Sequence, residues 1–275
     1  MLSKRTGFSR PWHYLQVASW ALGLLQAGIA YGVIMQEIED VGERIGFICL
    51  FSLAFGGTCG LALVVMLVDP TDPVVYQHQN AMAKGWAFDE GAYELICTSC
   101  QTNVSKASKH CAHCARCIAH FDHHCKWLNT CIGGRNYPFF AALLGLLETT
   151  ELVLVAFGTM TITEGVNQPL EGLNLVKLVL LVSVTGLATV TGCVTLQLIL
   201  FHIWLRSKGR TTYDYIKAKR QRVQPTRKRS PNRAPADVIS TSRNVQRPAE
   251  PAVGEVSEED GYSRSDGSPH MPALD

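Results

Sequence analysis

The chain has 275 residues, 47% of them hydrophobic and only 17% charged, with a formal net charge of +2. Soluble domains carry about a quarter charged residues, so this composition excludes an ordinary cytosolic enzyme, while its long apolar blocks exclude a fully disordered chain. Seven cysteines and five histidines crowd between Cys97 and Cys131, which points to metal chemistry in a reducing compartment rather than to a secreted disulfide scaffold.

In chain order, four stretches reach the roughly 20 apolar residues that a membrane helix needs. They run from about Tyr14 to Met35, Gly46 to Val68, Phe139 to Thr161 and Leu175 to Leu205. The first is too long for a cleavable signal peptide and lacks a small-residue cleavage site. Residues 1–13 hold Lys4, Arg5 and Arg10 and no acid, so they are expected in the cytosol. The connector with Glu37, Glu39, Asp40 and Glu43 against Arg44 suits the far side, as does the one with Glu164 and Glu171. Residues 206–229 carry ten bases against Asp214, a second cytosolic marker. The central segment 69–137 is balanced at six bases and six acids, and parity of four spans places it in the cytosol.

Glu148 and Glu151, three apart in the third span, share a helical face that should look into the bundle or a wet cavity. Cys49, Cys59 and Cys193 lie inside spans and read as small packing residues. The Pro- and Ser-rich tail 231–275 is expected to be disordered, and the basic run before it suits anionic lipid. Nothing aromatic or fold-like supports nucleic-acid binding there.

The segment from Cys97 to Phe140 reads CTSCQTNVSKASKHCAHCARCIAHFDHHCKWLNTCIGGRNYPFF. Structural zinc takes four Cys or His ligands, so seven cysteines and five histidines suffice for two sites with groups left over. Two metals would also supply the folding energy that so short a segment lacks. Neighbours such as His110-Cys111 and His123-His124-Cys125 point apart in extended chain, which implies interleaved sites rather than consecutive fingers. Counting does not say which cysteine is spare. Asp122-His123-His124-Cys125 offers a thiol, a base and a carboxylate to orient it, the parts of an activated nucleophile. The alternative makes Cys125 one more ligand and Asp122 a turn residue.

The spacing C-x2-C-x9-H-C-x2-C-x2-C-x4-D-H-H-C-x5-C-x4-N-x3-F, ending at Asn136 and Phe140, resembles that of the DHHC cysteine-rich domain of the zinc-finger protein S-acyltransferases. Thr211-Thr212-Tyr213-Asp214 is similar to the family's T-T-x-E motif. The resemblance implies an all-α membrane protein of four transmembrane helices, with a small cytosolic two-zinc domain between spans two and three. The expected division is 1–68 for the N-terminus and helices 1–2, 69–137 for the zinc domain, 138–205 for helices 3–4, and 206–275 for the basic segment and tail. The resemblance further implies one structural zinc on Cys97, Cys100, His110 and Cys117, and a second on Cys111, Cys114, His124 and Cys131. Cys125 becomes the nucleophile, His123 its base and Asp122 the orienting carboxylate. His113 and His120 match no ligand position and should lie at the surface.

Three positions depart from the family pattern. Lys126 replaces the proline after the motif cysteine, where a cation could meet a coenzyme A phosphate or simply face solvent. Thr71 stands for glycine after Asp69-Pro70, and Asp214 for glutamate; residues 217–275 show no clear C-terminal aromatic-and-Asn motif. The implied reaction moves a long-chain acyl group, palmitoyl above all, from acyl-CoA through a Cys125 thioester to accessible cysteines of cytosol-facing proteins at the bilayer. The family implies Golgi or endoplasmic reticulum. A non-catalytic membrane adaptor is the rival reading, and a metal transporter, short of ligands within its spans, ranks below both.

Overall fold

Among the described residues of the computed structural model, four helices are long and apolar enough to cross a membrane: Tyr14–Glu37, Val41–Leu67, Tyr137–Gly165 and Asn174–Ser207. The structure describes residues 5–166, 173–223 and 239–241. The second helix begins before the first apolar residues of its span because Asp40 caps it, accepting from the Glu43 amide at 2.8 Å, so the charged turn Glu43-Arg44 is helical too. The third takes Pro138 in its first turn, where the missing N–H costs nothing. Ala30–Ile34 form one π turn inside the first span.

Outward-facing Leu24, Leu53 and Val190 are exposed by 73%, 77% and 61%, apolar surface that suits lipid. Inside, Ala30 and Ile34 of the first span meet Phe47 and Phe51 of the second, Leu154 of the third, and Leu181 and Ala188 of the fourth. Phe47 stacks on Phe51 at 5.6 Å and tilts against Phe157 at 5.0 Å. Packing of this kind holds helices together where lipid removes the hydrophobic drive. Gly158 lets the third and fourth spans touch: a Cβ there would lie 2.2 Å from Thr185 Oγ1. The face with Glu148 and Glu151 turns into the bundle, as its composition required. Gln26 Nε2 donates to Glu151 Oε2 at 2.9 Å, and Thr58 pairs with Thr150 at 3.2 Å.

Between spans two and three, the helical frame gives way to short antiparallel hairpins: Leu95–Cys97 (β1) with Thr102–Val104 (β2), Ser108–Cys111 (β3) with Arg116–Ala119 (β4), and His123–Cys125 (β5) with Thr130–Ile132 (β6). Before them, helix Pro73–Lys84 is capped by the fully buried Asp72. One carboxylate oxygen of Asp72 accepts from Val74 N, and the other from Ser105 N and Oγ at 2.8 and 2.9 Å. This single side chain therefore joins the helix to the hairpins.

Asn136, also fully buried, donates to the Cys131 carbonyl at 2.9 Å and accepts from Gly133 N. Gly133 has no room for a side chain, since a Cβ would stand 2.5 Å from Ile118 Cγ2 and 2.8 Å from the Ala119 carbonyl. The segment before the first span packs here as well. Asn129 Nδ2 reaches the carbonyls of Gly7, Ser9 and Pro11, and Arg116 donates to the Arg5 carbonyl. Most of the tail lies outside the described residues. Ile239–Thr241 (β7), within the stretch expected to be disordered, instead pairs antiparallel with β1, with Cys97 opposite Ile239. The free edge of β1 explains why sequence periodicity missed it: edge pairing needs backbone groups and little side-chain pattern.

Replacing Glu151 by Leu strands the Gln26 amide inside the bundle. Detergent-solubilised protein should lose about 1–3 kcal/mol of stability, read as a lower melting temperature, whereas Glu151→Gln keeps a partner and should lose less.

Candidate active site

Strand alternation sorts the cluster. On β3, His110 turns one way and Cys111 the other; on β5, His124 turns one way while His123 and Cys125 share the opposite face. Cross-strand pairing brings His110 beside Cys117 and His124 beside Cys131. Two groups of four donors result: Cys97, Cys100, His110 and Cys117, and Cys111, Cys114, His124 and Cys131, all donor atoms of each within 4.8 Å of one another.

In the first group His110 Nδ1 lies 3.7, 3.3 and 3.8 Å from the sulfurs of Cys97, Cys100 and Cys117. In the second, His124 Nδ1 lies 3.4 and 3.6 Å from those of Cys114 and Cys131, which are themselves 3.4 Å apart. Thiolates bound about 2.3 Å from a tetrahedral zinc stand roughly 3.8 Å apart, so both groups have the span and donor chemistry of closed structural sites. Their sulfurs are too far apart for disulfides, and all ten cysteines are free. Zinc bound in such groups contributes folding energy and leaves no position open for substrate.

Cys125 belongs to neither group. Its side chain is only 8% exposed and packs with Val65 of the second span, Ile132 of β6, and Phe140, Leu143 and Leu144 of the third span. Leu61 and Ile199 border the same cluster. The thiol thus lies where the hairpins meet the mouth of the apolar bundle.

His123 and Asp122 stand beside it. His123 Nδ1 pairs with Asp122 Oδ2 at 2.7 Å, and Asp122 Oδ1 accepts from the Thr212 amide at 3.0 Å. Burial alone would raise the Asp122 carboxyl, but these hydrogen bonds to its charged form hold it below the usual carboxylate range. For His123, burial favours the neutral ring, and hydrogen bonds to Asp122 and Cys125 outweigh it, lifting the imidazole to about 9. A protonated ring next to the Cys125 sulfur is the partner that a thiolate needs.

The positions that depart from the family pattern are accommodated locally. Thr71 donates through its amide and hydroxyl to Asp69 Oδ1 at 3.0 and 2.6 Å, and its hydroxyl accepts from the buried Arg116 guanidinium, which also pairs with Asp69. Asp214 accepts from Thr211 Oγ1 at 2.8 Å while Thr211 Oγ1 accepts from the Asp214 amide, so the shorter acid still caps helix Thr212–Val223. Lys126 is exposed. His113 and His120 are exposed as well, His113 stacked on the His124 ring at 4.9 Å.

Sequence reading missed one constituent. His202 of the fourth span, 7% exposed, brings a nitrogen within 4.8 Å of the Asp122 and His123 polar atoms. A lone histidine in an apolar span, close to the basic end of the helix, was the available signal.

Fold and site together define a multi-span helical membrane protein with paired Cys/His metal groups and one unligated thiol at the bundle mouth. Residues 91–219 match the family model described as DHHC palmitoyltransferase. A human protein named palmitoyltransferase ZDHHC11 is 29% identical over 250 residues, covering 78% of this chain and 60% of its own length. An Arabidopsis thaliana protein named probable protein S-acyltransferase 20 is 36% identical over 151 residues, 50% of this chain and 21% of its own. A Danio rerio protein, palmitoyltransferase ZDHHC15A, is 30% identical over 208 residues, 65% of this chain and 61% of its own. Over residues 91–219 the chain is thus similar to the DHHC palmitoyltransferases, and the relatives it matches carry palmitoyltransferase or S-acyltransferase names. It spans less than two thirds of the length of these relatives.

Elemental analysis of the purified full chain should find two zinc ions per molecule, one for each donor group, and the same content in Cys125→Ser. Cys131→Ser should bind less zinc and aggregate. Zinc lost on changing Cys125, or kept on changing Cys131, would contradict the grouping.

Proposed function

We propose that the chain is a protein S-acyltransferase that carries a long-chain acyl group, palmitoyl in the first instance, from acyl-CoA to cysteines of other proteins. What carries the reading is the placement of Cys125: outside both donor groups, beside a carboxylate-held histidine, and packed into the apolar mouth of the bundle. Cys97, Cys100, His110 and Cys117 hold one structural zinc, and Cys111, Cys114, His124 and Cys131 the other. Cys125 is the nucleophile, His123 the base and Asp122 its positioning partner.

In the first step the Cys125 thiolate attacks the thioester carbonyl carbon of acyl-CoA. A new sulfur–carbon bond forms, the bond to the coenzyme sulfur breaks, and the coenzyme leaves as a thiol with the proton held by His123. In the second step a substrate cysteine gives its proton to His123 and takes the acyl group, restoring the Cys125 thiolate beside the imidazolium. One thioester is exchanged for another twice, so the sequence is close to thermoneutral and needs no ATP. The apolar residues around Cys125 suit an acyl chain, and the water-soluble coenzyme stays outside, where the exposed Lys126 is available to its phosphates. Charge asymmetry supports a cytosol-facing site, and the family resemblance is what points to Golgi or endoplasmic reticulum membranes.

Purified protein incubated with radiolabelled palmitoyl-CoA should acquire hydroxylamine-labile label in a burst, and Cys125→Ser none. Asp122→Ala, with zinc retained, should slow labelling about a hundredfold or more. Wild-type protein that takes no label under conditions that keep its zinc would favour a non-catalytic adaptor.

A further inference from the structure

The Asp122–His123 pair is walled on its membrane side by aromatic rings from two different spans. His123 meets Phe140 edge-on at 5.3 Å and His202 at 5.9 Å, and Phe140 and His202 meet each other at 5.4 Å. His202 differs from an ordinary wall in being polar and held: its Nδ1 pairs with the Tyr137 hydroxyl at 3.1 Å, and the Arg206 guanidinium lies over the Tyr137 ring at 4.8 Å. With Nδ1 engaged, Nε2 is the hydrogen-bonding atom that His202 has left to offer.

We infer that His202, oriented by Tyr137, is a positioning residue for the Asp122–His123 pair, setting the catalytic imidazole in line between the carboxylate and the Cys125 sulfur. The inference rests on the acyltransferase reading above and adds to it a residue from the fourth span. A buried imidazole among apolar side chains has an uncompensated nitrogen unless polar groups face it, and the groups that face this one are the Tyr137 hydroxyl and the Asp122–His123 pair. In the arrangement inferred, the Tyr137 hydroxyl is the donor to Nδ1 across their 3.1 Å contact, and the ring carries its proton on Nε2. In that arrangement Nε2 offers a donor to the Asp122–His123 pair, whose polar atoms lie within 4.8 Å of a His202 nitrogen, beside the Thr212 amide and His123 Nδ1 that bind Asp122. Phe140 supplies the steric half of the wall and His202 the polar half. The His123 ring is then confined in tilt as well as in hydrogen bonding, and small misplacements of a catalytic base are costly.

The test measures the rate of Cys125 acylation by palmitoyl-CoA over a range of concentrations, in the full-length protein, with zinc content as the check on folding. His202→Phe keeps a ring of similar size and removes both nitrogens. It should lower the maximal acylation rate about tenfold to a hundredfold, with little change in the palmitoyl-CoA concentration giving half-maximal rate. His202→Gln restores a polar atom near Nε2 and should recover much of that loss. Tyr137→Phe, which frees His202 to turn, should fall between wild type and His202→Phe. The inference is overturned if His202→Phe acylates as fast as wild type, or if His202→Phe and His202→Gln are equally slow with zinc retained. It is equally overturned if the loss lies wholly in the half-maximal concentration. If the wild-type protein takes no label at all, the acyltransferase reading itself fails, an outcome separate from these.

Discussion

The site depends on the two-residue alternation of a β-strand. Because successive side chains on β5 point to opposite faces, His124 can join a metal group while His123 and Cys125, its immediate neighbours, face the bundle together. The same alternation on β3 divides His110 from Cys111 between the two groups. A helical segment would have turned three consecutive residues through most of a circle and could not have made this two-sided division. The donor group and the free thiol are consequently one problem here: the fold that makes the second donor group also sets the direction of the Cys125 sulfur.

The hairpins are too small to bury a core of their own, and the structure fixes them in two ways. The donor groups hold them from within, while Asp72, Asn129 and Asn136 tie them to the neighbouring helix, the amino-terminal segment and the bundle. Each of these polar side chains is almost fully buried and bonded to backbone groups, so each is costly to leave unpaired. Thr71 adds to the same framework where the family carries glycine, its hydroxyl standing between Asp69 and Arg116.

Much of this was legible from sequence. Hydropathy located the four spans to within a few residues at most ends, and the largest shift, at Val41, arose because a capped charged turn is helical without being apolar. Cysteine and histidine spacing matches the two donor groups, and the spare thiol is the one that stands apart in the fold. The inward face of Glu151 followed from the cost of a carboxylate in lipid, and Gln26, its partner, lies 125 positions away. Distance along the chain is what hid the remainder. Thr212 reaches Asp122 across 90 positions and Tyr137 reaches His202 across 65, pairings that local periodicity does not encode. Strand β7 was hidden for a different reason, since a polar tail that adds to a sheet edge carries no hydrophobic alternation.

The Thr212 amide has a mechanical meaning. It stands at the start of helix Thr212–Val223, immediately after the last span, and it is one of the two groups that grip the Asp122 carboxylate. The chain leaving the bilayer is thereby tied to Asp122 and, through it, to His123. A displacement of that helix bears directly on Asp122, and Tyr213 of the same helix meets Phe121 at 5.7 Å, so the carboxyl-terminal arm and the Asp122–His123 pair are mechanically joined.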